Sequence, residues 1–376
     1  MEEQKKLYPF KFLPIAETFA WGGDVLTGKY RKSFVVSDDQ GNEKKLEKGV
    51  KVAESHEIAD LGYRDSQIKE GWLAANTISE VMDMYMDRIV GEDVFERYGR
   101  QFPVSVKFID ASGRIPLMVH PDDETASQRY DFLGKSKLWY VVDARPGSKV
   151  YMGFNQDADV SDFYTKCLTG NIEGLLNAVE PRKGDFWLIK PGTVHAASGG
   201  VLLLEISEAS PLDFCLSGWG EEIPEDEFDP SLNAVEALDF IDFKKYAPGE
   251  PVDGRLARTD GFTVTKIDLK DPLRINSGEA GSFTIYTCLE GEAAIRLKAG
   301  EDAASWSLSA GETILMPAEI EEFFVVPMIR GTVIVETIIE PVPEEDGYID
   351  PNVEPQLPEE GEEFKFNSVY GRFSKN

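Results

Sequence analysis

The sequence has few cysteines, no secretion-like N-terminus and no long hydrophobic run. Its three cysteines, Cys167, Cys215 and Cys288, are widely spaced and form no C-x-x-C pair. A disulfide framework is therefore not expected, and a reducing compartment is. The opening residues, "MEEQKKLYPFKFLP", contain no apolar segment of signal-peptide length. The longest apolar runs, such as "VLLL" at 201–204, suit strands and are too short to span a bilayer. These absences predict a soluble, cytoplasmic protein without a membrane partner.

Positive charge is also scarce. The chain carries 39 Lys and Arg residues against 68 Asp and Glu residues, a formal net charge of −29. Such an excess of carboxylates repels nucleic acids and anionic membranes. An anionic small molecule would therefore need a local cluster of cations, for which Lys107, Arg114, Lys135 and Lys137 are the candidates. For Lys107 and Arg114 a solvated position is the favoured interpretation.

Short strand-like segments dominate the chain after Pro103. They are rich in β-branched and aromatic residues and separated by Gly, Pro, Asp and Asn, as in "VSVKFID", "LWYVVDA", "KVYMGF", "DFWLIK" and "VLLLEIS". Similar strand-like segments occur after Pro248, as in "FTIYTCLEG" and "GTVIVETII". Regularly spaced short strands predict a mainly β protein built of barrels or sandwiches. A parallel α/β sheet is not expected.

Three segments are predicted to be helical. Residues 77–91 begin with a T-x-x-E capping box at Thr77 and Glu80 and end at Gly91. Residues 161–181 have Ser161 as a possible cap, and residues 231–243 form the third candidate. The helical insertion is thus expected around 77–100 and 161–180.

A faint internal repeat suggests two barrels of one kind. "GDFWLIKPGTVH" (184–195) and "GETILMPAEIEE" (311–322) share an acidic start after Gly, an apolar run and a turn containing Pro. The first barrel is assigned to residues 1–250 and a degenerate second one to residues 251–340. Residues 341–376 are acidic and rich in Pro, which predicts a solvated tail.

Histidine is rare, with only His56, His120 and His195 in the chain. His195 ends the pattern G-x7-G-x2-H, which begins at Gly184 and resembles half of a cupin-type metal signature. In a barrel, the turn at Gly192 would start the next strand with an inward imidazole, and opposing strands would bring further ligands. Taken alone, the pattern fits an idle, hydrogen-bonded turn histidine equally well.

Motifs across most of the chain resemble the class I mannose-6-phosphate isomerases, which are zinc cupin enzymes. The matching stretches occur in the family's order: "FAWGG" (19–23), "AESHEIAD" (53–60), "VHPDDETA" (119–126), "LGKSKLWYVVDARPGS" (133–148), "GDFWLIKPGTVHAASGG" (184–200) and "LLLEISEAS" (202–210). The resemblance implies two cupin-type β-barrel (jelly-roll) domains. It also implies aldose–ketose isomerisation in carbohydrate metabolism, with a sugar phosphate as partner and a monomer or homodimer as the assembly.

The resemblance carries over residue by residue to a metal site and its surroundings. It implies that His120 and His195 hold zinc, and that Lys135 and Glu205 are the catalytic residues. The family's ligand two residues before the first histidine is Met118 here, and its Glu ligand is Lys137. The family's catalytic Arg falls at Cys215, which is interpreted as an inert strand residue.

The substitution at Lys137 leaves several possibilities open. A protonated lysine cannot coordinate zinc, so its ammonium is expected to occupy the site and to pair with Glu205 or another carboxylate. His56 stands where the family has Trp, as an aromatic wall or as a substitute ligand that completes a three-histidine site. Trp21 either lines the pocket entrance or covers a tight turn. Together with Lys137 and His56 it completes the predicted substrate-binding set.

Two other functions remain beside mannose-6-phosphate isomerisation. The chain could be a non-catalytic cupin that binds a sugar or sugar phosphate, or an isomerase with a changed sugar specificity. Metal content and turnover on mannose 6-phosphate would separate the three.

Overall fold

The computed structural model describes residues 5–37, 43–47, 49–221, 233–249, 251, 253–279, 281–297 and 304–340. The predicted acidic tail, 341–376, lies outside these residues. Within the described part, no helix is both long and apolar enough to cross a membrane.

Thirteen strands, all before residue 220, form two large sheets and a small hairpin. They are β1 (Ile15–Glu17), β2 (Val35–Ser37), β3 (Glu43–Lys45), β4 (Glu54–Ile58), β5 (Val104–Ala111), β6 (Leu117–Val119), β7 (Lys137–Ala144), β8 (Lys149–Phe154), β9 (Leu176–Val179), β10 (Phe186–Ile189), β11 (His195–Ser198), β12 (Val201–Glu208) and β13 (Phe214–Ser217). The six-stranded sheet has the order β1-β4-β5-β12-β7-β10, the five-stranded sheet has the order β13-β6-β11-β8-β9, and β2 pairs with β3. The two large sheets are the first sheet pair.

Nine further strands form a second sheet pair. They are β14 (Ala257–Arg258), β15 (Thr263–Leu269), β16 (Leu273–Asn276), β17 (Thr284–Glu290), β18 (Glu292–Leu297), β19 (Ser305–Ser309), β20 (Thr313–Met316), β21 (Glu322–Pro327) and β22 (Thr332–Ile338). Their orders are β14-β15-β22-β17-β20 and β16-β21-β18-β19. The prediction of a mainly β fold is confirmed. All these sheets have open strand orders, and the described strands show no closed barrel.

The described helices are short and lie between strands. They are α1 (Val25–Gly28), α2 (Ile78–Tyr85), α3 (Asp87–Val90), α4 (Glu92–Tyr98), α5 (Asp123–Tyr130), α6 (Val160–Thr169) and α7 (Ala234–Ala237), with 3-10 turns at Ile172–Leu175 and Ser277–Glu279. The predicted capping box at Thr77 and Glu80 is present. The single helix predicted over 77–91 is instead α2 and α3, because the backbone at Met86 adopts φ 46° between them.

The other two helix predictions are too long. The segment 161–181 is helical only in α6, which is capped by the Asp159 carboxylate rather than by Ser161. It ends at Gly170, whose φ of 71° places it in the left-handed region that favours glycine. The residues that follow form a 3-10 turn and then β9, which pairs with β8. In the third segment, the described residues 233–243 contain only the one-turn helix α7.

The six-stranded sheet is buried on both faces. Alternate residues of β7, such as Leu138 and Tyr140, join a large apolar cluster that includes α2, α4 and parts of β15, β17 and β20. Trp139 and Val141 point the other way and pack with Met152 of the five-stranded sheet. The two sheets of the first pair therefore face each other, and the remaining inward positions of the strands form the candidate site.

Candidate functional site

Three adjacent strands of the six-stranded sheet bring charged side chains to the face that meets the five-stranded sheet. Glu205 of β12 pairs with Lys107 of β5 on one side and with Trp139 of β7 on the other. Lys137 lies two residues before Trp139, so it shares the inward face. Strand alternation therefore gathers two ammonium groups and a carboxylate between the sheets.

The opposing sheet contributes two imidazoles. His195 begins β11 and His120 directly follows β6, and a hydrogen bond from Gly192 N to His120 O (2.9 Å) joins the two turns. Both rings are fully buried, and their centroids are 5.2 Å apart. Nδ1 of His195 lies 2.9 Å from the carbonyl oxygen of Thr193. The two histidines therefore meet inside the first sheet pair, as the sequence predicted.

A bridge of two buried lysines and the partly exposed Asp213 lies beside the histidines. Nζ of Lys135 and Nζ of Lys137 each lie 2.8 Å from a different oxygen of Asp213. Lys135 also donates to the carbonyl oxygen of Ser210 at 2.8 Å. The Lys137 ammonium is 3.8 Å from Glu205. The expectation that this ammonium pairs with a carboxylate matches the geometry, with Asp213 rather than Glu205 as the closer partner.

A second ion pair continues the cluster. Nζ of Lys107 donates to both oxygens of Glu54 at 2.9 Å and lies 3.5 Å from Oε1 of Glu205. Nε2 of His56 lies 3.1 Å from the same Glu54 carboxylate. Oε2 of Glu205 accepts a 2.6 Å hydrogen bond from the Trp139 indole. Three lysines and three carboxylates thus balance one another in charge in this cluster.

The carboxylates of the cluster stay ionised although they are buried. Burial acts to raise the pKa of Asp213, but Lys135 and Lys137 outweigh it and hold that pKa well below its usual value. At Glu54 and Glu205, burial likewise acts to raise the pKa, but the charge of Lys107 helps to outweigh it and both pKa values are lowered. Each carboxylate is therefore a permanent anion at neutral pH.

Four basic groups at the site have lowered pKa values, namely Lys135 and the three imidazoles. Burial lowers the pKa of Lys135 to about 8, against the opposing charge of Asp213. Burial, and after it the charge of Lys137, lowers the pKa of His195 to about 4 and that of His120 well below its usual value. The pKa of His56 is also lowered, chiefly by burial. All three imidazoles are therefore neutral at physiological pH.

A cavity of about 1050 Å³ opens over this cluster. Its wall includes Glu54, His56, Lys107, Lys135, Glu205 and Asp213 from this cluster, together with Asp60, Arg64, Asp83 and Arg100. Trp21 also lines it, and its indole nitrogen has no hydrogen-bond partner among the described residues. His120, His195 and Lys137 do not line it. Of the predicted site residues, Lys135, Glu205, Trp21 and His56 therefore face the cavity, and the remaining three lie beneath its wall.

The residues at the predicted metal position do not fit zinc. A structural or catalytic zinc site needs at least three protein ligands, typically His, Cys or carboxylate. The described part of the chain contains no group of three or more such side chains arranged to hold a metal. The same observation argues against the alternative in which His56 completes a three-histidine site. Lys137, beside the two imidazoles, offers an ammonium already engaged by Asp213.

Two residues of the cluster depart from the sequence analysis. Lys107 was expected to be solvated, but it is largely buried, because it shares the inward face of β5 with Ile109 and Ala111. Asp213 was not singled out at all. It belongs to no recognised motif, and only its position directly before β13 brings it to Lys135 and Lys137. The expectation for Arg114 holds, since it is exposed and pairs with Glu173.

The fold and site together define a mainly β protein with a deep acid–base cluster between facing sheets. No family model matches the chain. Among curated proteins, it is 26% identical over 204 residues to the probable mannose-6-phosphate isomerase GmuF of Bacillus subtilis, covering 54% of this chain and 59% of GmuF. It is 24% identical over 340 residues to the putative mannose-6-phosphate isomerase YvyI of the same organism, covering 86% of this chain and 96% of YvyI.

Solved structures show the same fold. A mannose 6-phosphate isomerase from Bacillus subtilis superposes with a TM-score of 0.70 at 21% identity, over 88% of this chain and 99% of the other. A putative mannosephosphate isomerase from Archaeoglobus fulgidus gives a TM-score of 0.68 at 23% identity, over 90% and 99%. The resemblance predicted from the motifs is confirmed: the chain is similar in sequence and in fold to proteins named mannose-6-phosphate isomerases.

Proposed function

We propose that this protein is an aldose–ketose isomerase of the mannose-6-phosphate isomerase type, interconverting mannose 6-phosphate and fructose 6-phosphate. The observation that carries the proposal is the cavity of about 1050 Å³ whose wall holds cations and a carboxylate side by side. Sequence similarity to proteins named mannose-6-phosphate isomerases over most of the chain supports it. The similar structures support reading each sheet pair as a cupin-type jelly roll.

The reaction moves a proton from C2 to C1 of the sugar and a second proton from O2 to O1, through an enediol intermediate. It needs a base at the carbon and positive charge at the oxygens. We assign the base to Glu205, because its Oε1 lies 3.5 Å from the Lys107 ammonium, whereas both oxygens of Glu54 are held at 2.9 Å. Oε1 of Glu205 is therefore less tightly held than either oxygen of Glu54 and is the better proton acceptor, while Oε2 keeps its hydrogen bond from Trp139.

The positive charge comes from the lysines of the cavity wall. Lys135 is buried, faces the cavity and is a cation below a pKa of about 8. Together with Lys107, it is placed to stabilise negative charge on the enediol oxygens. Arg64 and Arg100 line the same cavity, where they pair with Glu17 and Asp83, and we assign them to the phosphate group. The cavity wall thus brings four cations together, among five carboxylates, in a chain of net charge −29.

His56 and Trp21 complete the proposed substrate-binding surface. The neutral imidazole of His56 can exchange hydrogen bonds with sugar hydroxyls, and the indole of Trp21 offers a flat apolar face and a donor. Since the donor set around His120 and His195 does not fit zinc, no step of this proposal runs through a metal.

Replacing Glu205 tests the proposal. Glu205→Gln keeps the shape but removes the base, and it is expected to lower kcat by roughly 10²–10⁴-fold. Glu173→Gln is the matched control, because Glu173 is exposed and lies outside the cavity. The measurement is a coupled assay of fructose 6-phosphate formation. Wild-type protein without turnover, or equal turnover in both variants, would contradict the proposal.

A non-catalytic sugar-phosphate-binding protein is the second candidate. The closed Lys135–Asp213–Lys137 bridge favours it, because charges that satisfy one another can hold a ligand without reacting with it. Calorimetric binding of mannose 6-phosphate without turnover would support this candidate. Turnover of a different aldose phosphate would instead support an isomerase of changed specificity.

A further inference from the structure

The positive charge nearest the two buried imidazoles belongs to the protein itself. Lys137 is 1% exposed, and its ammonium is fixed 2.8 Å from Asp213 and 3.8 Å from Glu205. It is close enough to His120 and His195 that its charge, after burial, is the second cause of their lowered pKa values. In the motif resemblance, this position carries the family's Glu ligand. A ligand has therefore been exchanged for a cation.

The histidines alone do not recreate a metal site. Both nitrogens of His120 and Nε2 of His195 have no hydrogen-bond partner among the described residues, which is the feature that a bound ion would explain. A divalent ion there would need a third ligand and would sit beside a like charge that cannot move into solvent. Asp213, the strongest nearby anion, is already shared between two lysines.

We propose that the Lys137 ammonium, held by Asp213, takes the place of the metal ion, so that this chain binds no zinc between His120 and His195. The proposal deepens the proposed function, on which it rests for the identity of the site. The cations that reach the cavity are then Lys107 and Lys135, while Lys137 acts through Asp213 as a positioning residue. His120 and His195 remain as neutral packing groups beneath the wall.

The first test uses the wild-type protein and therefore does not depend on a variant that folds. The protein is incubated with zinc in the presence of a competing chelator, and bound zinc is measured by elemental analysis and native mass spectrometry. We expect less than about a tenth of a zinc per chain and no zinc-dependent shift of the melting temperature. About one zinc per chain in the wild type, lost in His120→Asn, would overturn the proposal.

The second test restores the missing ligand. Lys137→Glu adds a carboxylate beside the two imidazoles, and it is expected to bind about one zinc per chain and to gain thermal stability from it. Lys137→Gln, which removes the charge without adding a strong ligand, is the matched control and should bind none. Lys137→His offers a neutral ligand if the extra carboxylate beside Asp213 prevents folding. A folded Lys137→Glu or Lys137→His protein that binds no zinc would overturn the proposal.

Turnover separates this proposal from the proposed function. Isomerase activity that survives the chelator supports both, and activity that needs zinc contradicts this proposal alone. A zinc-free wild type that binds sugar phosphate without turnover contradicts only the isomerase. If the wild type is zinc-free, Lys137→Gln should lower kcat more than it changes the KM for mannose 6-phosphate, because Lys137 acts through Asp213 and does not line the cavity.

Discussion

The two sheet pairs of this protein share an architecture but fill their interiors differently. In the second pair, most inward positions are apolar and pack into one cluster, with Tyr286, Ile314 and Phe323 among the buried members. In the first pair, apolar side chains fill only part of the space between the sheets. Three lysines, three carboxylates and two imidazoles occupy the rest. The second pair shows that the space between two such sheets can be filled largely by apolar side chains. The polar half of the first pair is therefore a departure that function, rather than folding, explains.

Polar groups inside the second pair show what an ordinary solution looks like. Tyr286 donates a 2.6 Å hydrogen bond to Glu336, and Thr287 and Thr313, on the opposite face of the same sheet, share another of 3.0 Å. Each is a local pair with no described neighbour of opposite charge. In the first pair, by contrast, charged side chains from different strands are linked to one another, so removing one of them leaves others without a partner.

Removing Asp213 should have the largest effect. Asp213→Asn leaves Lys135 and Lys137 without their shared counter-charge, and we expect a loss of about 3–5 kcal/mol in the free energy of unfolding. Isomerase activity should fall as well, because Lys135 loses its position. Asp239→Asn is the matched control, since Asp239 is 71% exposed in its pair with Arg129. Urea unfolding of both variants checks this, and equal stability would show that the bridge contributes nothing.

Acid should destabilise the protein through the first pair, which holds all three histidines. The pKa of folded His195 is about 4, below its usual 6.5, so the unfolded chain binds more protons between these values. Stability should therefore decline as pH falls from about 6.5 towards 4, by about 3 kcal/mol for this group. Urea unfolding across this range provides the measurement. The decline should be shallower in His195→Asn, and an unchanged slope would argue against a neutral buried imidazole.

Activity should have an alkaline limit set by Lys135. Its pKa of about 8 means that it loses its charge as pH rises through that value, and with it the stabilisation of the enediol oxygens. We expect kcat/KM to fall about tenfold per pH unit above this point. Lys135→Arg keeps its charge at alkaline pH and should abolish the limit, whatever its basal rate. A limit that persists in Lys135→Arg would assign it to another group.

The smallest effect is expected in the second pair. Tyr286→Phe removes one buried hydrogen bond to Glu336, so it should cost about 1 kcal/mol of stability and leave turnover unchanged. Parallel unfolding and activity assays measure both quantities. A large loss of turnover would show that the second pair takes part in the reaction. The functional difference between the two sheet pairs would then not hold.

Local patterns explain which features were predictable from the sequence. The capping box at Thr77, the strand texture and the meeting of His120 with His195 all follow from short motifs. The alternation of β5 also places Lys107 on the same face as Ile109. The burial of Lys107 could therefore have been predicted from the sequence, although it was not. The position of Asp213 could not be predicted from the sequence, because its partners are 76 and 78 residues away and only sheet register brings them together. The break at Met86 likewise depends on tertiary packing that a helical period does not encode.

The central claim is that buried lysines and carboxylates of the first sheet pair perform the isomerisation without a metal ion. The most direct measurement is turnover of mannose 6-phosphate by wild-type protein that has been stripped with chelator and shown to be zinc-free. The account predicts turnover that is unchanged by the stripping and by added zinc. Turnover that vanishes on stripping and returns with about one zinc per chain would contradict it.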